Sequence, residues 1–294
     1  MNVARAEVVF PCRSTLGEGS VWDCERGCLY WVDIYDNKVF QFDPSRRANL
    51  AYDVGANVGT VVVAEGGELL LALRDELAWL DPATGTVHSL IAPAAPAPGI
   101  RFNDGKCDPA GRFWVGTMVE AGAPGAGILF CLDPDLSISV KLTGLTISNG
   151  LGWRDTAFYH IDTPTQLIRR FDYDPVSGGI TEPTVVADFS AERGSPDGMC
   201  LDEQGGLWVA LWGGARVVRI DPTTGTSDFS VEVPATNVTS CAFGGEDLDE
   251  LYITTARIGL SDADLAAEPL AGSLFRVKLP FKGVPAPRFA RSFA

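Results

Sequence analysis

Histidine and basic residues are scarce in this sequence of 294 residues. His88 and His160 are its only histidines, so a zinc site with three histidine ligands is excluded and a Ser-His-Asp triad has two candidate bases at most. Lys and Arg number 23 against 38 Asp and Glu, which gives a net charge of −15. A surface of that sign repels phosphate backbones and anionic lipid headgroups, which argues against nucleic acid and membranes as partners. Any chemistry must therefore rely on carboxylates and amides.

Long apolar runs are also missing. No stretch approaches the roughly 18 residues needed to span a bilayer, and Arg5 and Glu7 interrupt the N-terminus where a signal peptide needs an apolar core. We therefore expect a cytoplasmic protein. The seven cysteines are scattered, and Cys24 and Cys28, the only pair close in sequence, have no second pair to complete a zinc site. We expect most cysteines to be buried small side chains or free thiols.

Glycine and proline are abundant, at 32 and 19 residues, which favours frequent chain reversals over long helices. A short apolar strand recurs six times after a turn rich in Gly and Asp. Equivalent residues of the copies follow one another at intervals of 40 to 49 positions, a period typical of arrays of small β-sheets. These residues are Leu29, Leu69, Phe113, Phe158, Leu207 and Leu251. The copies are CLYWVD at 28–33, LLLAL at 69–73, RFWVGT at 112–117, AFYHID at 157–162, LWVALW at 207–212 and LYITT at 251–255.

A further strand follows each copy and often ends in an Asp-Pro or Thr-Gly turn, as in KVFQFDP at 38–44 and VVRIDPTTG at 217–225. The repeating unit is therefore a four-stranded antiparallel sheet. A ring of such sheets hides the faces of each one against its neighbours, whereas a linear stack would need polar caps at both ends. The sequence predicts an all-β fold, a six-bladed β-propeller in which residues 1–294 form a single domain.

Two smaller features complete the predicted fold. The last strand of the sixth sheet must come from AEVVF at 6–10, from PRFARSF at 287–293, or from both. The one helical pattern is SDADLAAE at 261–268, with Ser261 as its N-cap.

Polar residues recur at one register before the repeated strand. Glu18, Asn103, Asn149 and Asp197 each have a glycine within two positions. They lie 9 to 11 residues before equivalent positions of their copies, which are Leu29, Phe113, Phe158 and Leu207. Since the innermost strand of every blade borders the central channel, we expect these four side chains to converge on the axis. The alternative is that each belongs to an ordinary Asx or glycine turn.

Convergence of two carboxylates implies a cation, because Glu18 and Asp197 would otherwise repel each other and raise each other's pKa. Carboxylate and amide oxygens suit hard divalent ions, so the sequence predicts calcium, magnesium, manganese or ferrous iron, while zinc is consistent although its softer ligands are missing. Arg101 lies two residues before Asn103 and therefore on the same side of the strand. It either holds an oxyanion or a hydroxyl-rich substrate or neutralises the acidic pair.

Several other residues are assigned to the framework of the protein in this interpretation. Asp104 is expected to brace its loop, His160 to pack in the core and His88 to lie in an outer strand at the surface. Tryptophans in or beside the repeated strands are expected to pack between blades, and Trp212 is placed to rim the channel.

Five segments, in order along the chain, resemble the SMP-30/gluconolactonase family. They are TLGEGSVW, RFNDGKCDPAGRFWVGTM, SNGL, PDGMCLDEQGGLWVALW and TSCAFGG. The resemblance covers essentially the whole chain and implies a six-bladed propeller that hydrolyses sugar lactones with one divalent metal ion on the axis. By motif, it implies that Glu18, Asn149 and Asp197 are the metal ligands and that Arg101 and Asn103 contact the substrate.

The sequence departs from the family after GTM, where similar members often carry an acidic pair that contacts substrate hydroxyls. Here the run is GTMVEAGAPGAG, which leaves Glu120 as the candidate contact. LWGG and TTARIGLSD are more similar to bacterial lactonases of sugar-acid pathways, which implies a pentono- or hexonolactone substrate. Asp197 is the candidate general base for water attacking the carbonyl.

Two other functions fit the sequence. One is a non-catalytic propeller with a structural metal ion whose faces bind a protein partner. The other is a propeller hydrolase acting on phosphoesters or aryl esters, since the fold does not determine the substrate. We expect a monomer or a weak homo-oligomer.

Overall fold

A computed structural model describes residues 2–92, 98–121 and 123–291. It confirms the all-β, six-bladed propeller: six antiparallel sheets surround one axis, and the innermost strands of neighbouring sheets contact each other in a closed circle. The chain begins with β1 (Asn2–Arg5) and β2 (Glu7–Phe10). The blades then contain, in order, β3–β6 (Gly17–Asp23, Cys28–Asp33, Lys38–Asp43, Ala48–Asp53), β7–β10 (Val58–Val63, Leu69–Leu73, Leu77–Asp81, Thr86–Ile91), β11–β14 (Ile100–Cys107, Phe113–Val119, Gly127–Leu132, Ile138–Leu145), β15–β19 (Ser148–Arg154, Ala157–Asp162, Leu167–Asp174, Gly179–Ile180, Thr184–Asp188), β20–β23 (Ser195–Leu201, Leu207–Trp212, Arg216–Ile220, Ser227–Glu232) and β24–β26 (Asn237–Gly244, Glu250–Ala256, Leu274–Lys278).

The repeated apolar strand found in the sequence is the second strand of each blade. It reads as an almost continuous apolar run because both of its faces are buried against neighbouring blades. LLLAL in β8, for example, is buried along its whole length. One hydrophobic cluster joins Tyr30 and Val32 of blade one to Val61 and Leu71 of blade two, and further clusters join other neighbouring blades. The core is therefore a ring of layers between sheets.

The N-terminal segment completes blade six, which confirms one of the two predicted sources. β2 pairs antiparallel with β26, so strands from both ends of the chain share one sheet. The C-terminal segment does something else: Phe289 is bridged to Ala64 beside blade two, while residues 292–294 lie outside the described residues. β1 adds a parallel fifth strand to blade five, a pairing that no sequence pattern indicated because its side chains are mostly exposed.

The predicted helix is confirmed as α1 (Asp262–Ala267), located between β25 and β26. Ser261 caps it, since its hydroxyl accepts from the backbone N–H of Asp264 while the Asp264 carboxylate accepts from the backbone N–H of Ser261. In the described part of the chain no helix is both long and apolar enough to cross a membrane.

Removing residues 1–10 should lower the free energy of unfolding by on the order of 3 kcal/mol. β26 would lose its ladder partner, and Phe10 would leave the ring contact with Phe42, whose centroid lies 6.2 Å away. Removing residues 1–5 is the matched control: it takes away only the outer strand of blade five and should cost less than about 1 kcal/mol. Urea denaturation followed by tryptophan fluorescence measures both. Equal losses would contradict the role of β2 in completing blade six.

Candidate active site

One end of the axis opens into a cavity of about 260 Å³. Its polar wall comes from blades one, three, four and five, and the structure brings together there Glu18, Arg101, Asn103, Asn149 and Asp197. The remaining wall is largely apolar and includes Tyr35, which sequence reasoning missed, and Trp212, which it placed at the rim. A pocket with an apolar wall and a few convergent polar groups is the usual form of a small-molecule site.

A backbone irregularity at one level of the ring directs these side chains inward. In a regular strand, side chains point to the two faces of the sheet. In this fold those faces pack against the neighbouring blades. The channel runs along the inner edge of each sheet, where a regular strand directs no side chain. All six inner strands break register with their second strand at this level, as bulged strands do. The breaks are Glu18/Val21, Val58/Thr60, Phe102/Gly105, Asn149/Leu151, Pro196/Met199 and Val238/Ser240.

Glycines at the same level let the inner strands approach closely. A Cβ atom at Gly59 would lie 2.5 Å from the carbonyl oxygen of Asn103, and one at Gly198 would lie 2.8 Å from the carbonyl oxygen of Thr239. Such contacts are too short for any side chain, so glycine is required at both positions for the ring to close. A Cβ atom at Gly150 would likewise lie 2.7 Å from the carbonyl oxygen of Asp197, so the glycines of SNG and PDG provide the space that the strands of Asn149 and Asp197 need.

Glu18 and Asp197 form a buried acidic pair, with only 5% and 6% of their surfaces exposed. Burial and the charges of Asp197 and Asp104 hold the pKa of Glu18 well above its usual range. Burial and the charge of Asp104 likewise raise the pKa of Asp197, although a hydrogen bond from Glu18 acts in the opposite direction. No basic side chain among the described residues is paired with either carboxylate, so the pair lacks a counter-charge.

These residues fit a hard divalent cation. Two carboxylates and the amide oxygen of Asn149 line one wall, and uncompensated buried carboxylates are stabilised by a cation of that kind. No cluster of three His, Cys, Asp or Glu suited to a metal ion occurs within the described residues. The third oxygen here is an amide, and this all-oxygen donor set is suited to calcium, magnesium or manganese rather than to zinc.

Asn149 is held by a chain of hydrogen bonds. Its Oδ1 accepts from Asn103 Nδ2 at 2.7 Å, and its Nδ2 donates to Thr163 Oγ1 at 2.8 Å. Thr163 Oγ1 in turn donates to the carbonyl oxygen of Pro196, next to Asp197. The orientation of the amide is thus fixed from both of its ends, and the inner strands of blades four and five are linked beside the acidic pair.

Arg101 is the one basic side chain of the cavity wall and is only 1% exposed. Its Nη1 donates to Asn103 Oδ1 and to the carbonyl oxygen of Phe102, both at 2.8 Å, and its guanidinium lies over the Tyr35 ring. Nε pairs with Glu120 at 3.2 Å. Nη2 has no protein partner in the described residues, which leaves this donor available to a ligand in the cavity.

Glu120 lies behind Arg101. Its carboxylate accepts from Tyr35 Oη at 3.1 Å and pairs with Arg74 at 2.8 Å, besides its contact with Arg101. Partial burial raises the pKa of Glu120, but the hydrogen bond from Arg74 and the charge of Arg101 leave it below its usual range. In this structure Glu120 orients Arg101 and Tyr35, and its contact with a substrate stays a prediction.

The sequence led us to expect that Asp104 braces a loop, and this expectation was wrong. It lies in β11, is only 3% exposed and faces the other half of the channel, because the bulge separates it from Asn103. Its Oδ1 accepts from the Gly105 N–H at 2.8 Å, whereas its Oδ2 has no partner among the described residues. Asp104 therefore adds a third negative charge close to the acidic pair.

Two further aspartates, Asp33 and Asp162, position the site without entering it. Each ends a copy of the repeated strand and accepts backbone N–H groups from the segment that precedes the inner strand of its own blade. Asp33 accepts from Thr15 at 2.9 Å and from Leu16 at 3.0 Å. Asp162 accepts from Thr146 and from Ile147, the latter at 2.8 Å. The shared endings of CLYWVD and AFYHID were the sequence signal for this role.

His160 packs in the core, and His88 is exposed on the outer strand of blade two, both as predicted. His160 Nε2 lies 2.9 Å from Ser148 Oγ, directly behind the strand that carries Asn149. Burial and the charge of Arg169 lower the pKa of His160 from 6.5 to about 3. The ring is therefore neutral in the folded protein at neutral pH.

Comparison with known proteins places these observations in context. The model of the family described as SMP-30/Gluconolactonase/LRE-like region matches residues 16–257. A Bacillus subtilis (strain 168) protein named putative sugar lactone lactonase YvrE is 40% identical over 273 residues, which cover 92% of this chain and 94% of its own. Regucalcin of Danio rerio is 38% identical over 97% of this chain and 98% of its own. Among solved structures, that of a calcium-binding protein, regucalcin, from Agrobacterium tumefaciens strain C58 has a TM-score of 0.93 at 27% identity and covers 98% of this chain and 99% of its own.

Replacing His160 with Gln should make the free energy of unfolding fall less steeply as the pH decreases below about 6.5. The unfolded chain binds a proton at this histidine below about pH 6.5, whereas the folded protein does so only near pH 3. Wild-type protein therefore loses stability as the pH falls through this window, by up to about 1.4 kcal/mol per pH unit, and H160Q does not incur this loss. Urea unfolding between pH 4 and 7 measures the difference between the two curves.

The matched control for this experiment is H88Q, which alters the exposed histidine. The free energy of unfolding of H88Q should depend on pH in the same way as that of the wild type. A constant offset between H160Q and wild type across the whole pH range would contradict the neutral buried state of His160.

Proposed function

Because the chain belongs to the SMP-30/gluconolactonase/LRE-like family, we propose that it is a sugar lactonase that opens a pentono- or hexonolactone to the sugar acid in a sugar oxidation pathway. The observation that carries the proposal is the axial cavity, where an acidic pair without a counter-charge lies beside a buried arginine with a free donor. The name of the Bacillus subtilis relative, putative sugar lactone lactonase, supports the substrate class.

We further propose that the cavity binds one divalent cation through Glu18, Asn149 and Asp197. Calcium is the first candidate, since a similar solved structure is described as a calcium-binding protein, and magnesium, manganese and ferrous iron share its preference for oxygen ligands. When bound, such an ion supplies Lewis acidity, which polarises a carbonyl and lowers the pKa of water.

The chain's own groups would orient the lactone. Arg101 Nη2 donates to the substrate, either to the ester oxygens or to a ring hydroxyl, while Glu120 and Asn103 hold the guanidinium in place. Both donors of Asn103 Nδ2 are used within the protein, by Asn149 and by the carbonyl oxygen of Ser148. A substrate contact of Asn103 is therefore made by Oδ1, which accepts one hydrogen bond from Arg101 and has a second lone pair.

The hydrolytic step requires a base and an acid. A water molecule adds to the carbonyl carbon, the bond from that carbon to the ring oxygen breaks, and one proton moves from the water to the departing alkoxide. We assign this transfer to an oxygen of the Asp197 carboxylate, which lies in the cavity wall. The apolar part of the wall, with Tyr35 and Trp212, packs against the carbon face of the sugar and limits access of bulk water.

A panel of gluconolactone, xylonolactone and arabinolactone, assayed in a pH-stat, tests the function. Protein stripped of metal should be inactive, and one of the divalent ions should restore acid release. Asp197→Asn should lower kcat/KM by more than about 100-fold and weaken cation binding measured by calorimetry, because a ligand and the base are lost together. Asp155→Asn, at a position whose side chain is 88% exposed, is the matched control and should behave as wild type.

Three outcomes would contradict the proposal. Hydrolysis that survives metal removal would exclude the cation, and full activity of Asp197→Asn would exclude the assigned base. Cation binding without hydrolysis of any lactone would instead indicate a binding propeller.

Arg101→Lys should raise KM by about tenfold, with cation affinity nearly unchanged. Lysine keeps the positive charge but lacks the planar fork of donors. It therefore cannot bind both Glu120 and Asn103 and at the same time offer another donor to the substrate. Steady-state kinetics on the best lactone of the panel measures the effect. Arg154→Lys, on the surface of blade four, is the control, and an unchanged KM in Arg101→Lys would remove this residue from the binding site.

A further inference from the structure

The other half of the channel holds a second cavity of about 300 Å³. It lies beyond the level of the bulges, since the same inner strands that direct Glu18 and Asn103 to the first cavity direct Gly19 and Asp104 to this one. Most of its wall is apolar, with Trp22 and Phe243 among its larger side chains, but the wall also contains Lys106 and Cys200. The proposed lactone chemistry uses none of these groups.

Cys200 forms a pair with Cys241 beside this cavity. The two residues lie in the neighbouring inner strands β20 and β24, 41 positions apart in the chain, and their Sγ atoms are 3.6 Å apart. Among the described residues this is the one pair of thiols in hydrogen-bonding contact with each other. Cys200 is partly exposed and lines the cavity, whereas Cys241 is buried behind it. One thiol is thus accessible and the other is adjacent to it.

A positive charge lies next to this pair. Lys106 Nζ donates to the carbonyl oxygen of Met199, the residue directly before Cys200. Burial raises the pKa of Cys241, and the charge of Lys106 acts against that rise. A neighbouring ammonium stabilises the thiolate, which is the reactive form of cysteine. The geometry therefore combines an entry cavity, an accessible thiol, a second thiol and a cation.

We propose that Cys200 and Cys241 are a redox-reactive pair that low-molecular-weight disulfides, entering through the second cavity, convert to an internal disulfide. The Cys200 thiolate attacks one sulfur of the reagent, forms a mixed disulfide and releases the first thiol. Cys241 then attacks Cys200 Sγ, and the second thiol leaves with the proton that Cys241 gives up. The protein loses two electrons and two protons, and the reagent disulfide is reduced to two thiols.

The required movement is small. A disulfide has an S–S distance of about 2.05 Å, so the two sulfur atoms must approach by roughly 1.5 Å from 3.6 Å. The new bond would link the inner strands of blades five and six and constrain the unfolded chain across the intervening segment. The inference is independent of the lactonase proposal, since it depends on neither the cation nor a substrate.

The full-length protein treated with 2-hydroxyethyl disulfide tests the proposal. After the remaining thiols are alkylated, peptide mapping by mass spectrometry should find Cys200 linked to Cys241 and a mass about 2 Da lower for the linked peptides than for the reduced pair. The melting temperature of the oxidised protein should rise by about 5 °C and return on reduction. Absence of this link, or pairing of Cys200 with another cysteine, would overturn the proposal.

Variants separate the two thiols. Cys241→Ser should stop the reaction at a mixed disulfide on Cys200, and Cys200→Ser should leave Cys241 unmodified. Cys107→Ser, at a buried position in the wall of the same cavity, is the matched control and should still form the link. Lys106→Gln should slow closure of the disulfide about threefold or more, because Cys241 loses the neighbouring charge that lowers its pKa. Modification of Cys241 in Cys200→Ser at the wild-type rate would contradict the assigned order, and circular dichroism verifies that each variant is folded.

Discussion

Close approach of six inner strands around one axis is the constraint on which the rest of the structure depends. The strands approach to distances at which a side chain on Gly59 or Gly198 would collide with the backbone of the next blade. At the same level each strand bulges and turns a side chain from the face of its sheet to its edge. The geometry that closes the ring is therefore also the geometry that concentrates polar groups on the axis.

The bulges also divide the channel into two chemically different halves. Without them, Asn103 and Asp104 would point towards opposite neighbouring blades, as consecutive strand residues do. With them, Asn103 lines the cavity that contains the acidic pair, and Asp104 lines the cavity that contains Cys200. The two halves are close enough for the charge of Asp104 to raise the pKa of both Glu18 and Asp197. A carboxylate of the second cavity therefore affects the electrostatics of the acidic pair in the first.

The sequence predicted the blades and the cluster of site residues because both follow from one period. A register that recurs in four repeats becomes a position on the axis once the repeats form a ring, so Glu18, Asn149 and Asp197 could be grouped without coordinates. The role of Asp104 could not be predicted, because simple alternation along a strand does not reveal a bulge. Nor could the pair formed by Cys200 and Cys241, since their proximity arises from contact between blades and not from spacing along the chain.

The acidic pair links the stability of the ring to the proposed cation site. Burial of two carboxylates without a counter-charge costs free energy, and closure of the ring does not allow them to separate, because their strands are fixed by glycine contacts and by the hydrogen bonds through Asn149 and Thr163. Arg101 does not relieve this cost, since its guanidinium is paired with Glu120 instead. The proposed cation would supply the missing counter-charge. Tight packing of the ring thus keeps the two carboxylates together at the position of the proposed cation site, and it leaves Arg101 paired with Glu120 and not with the acidic pair.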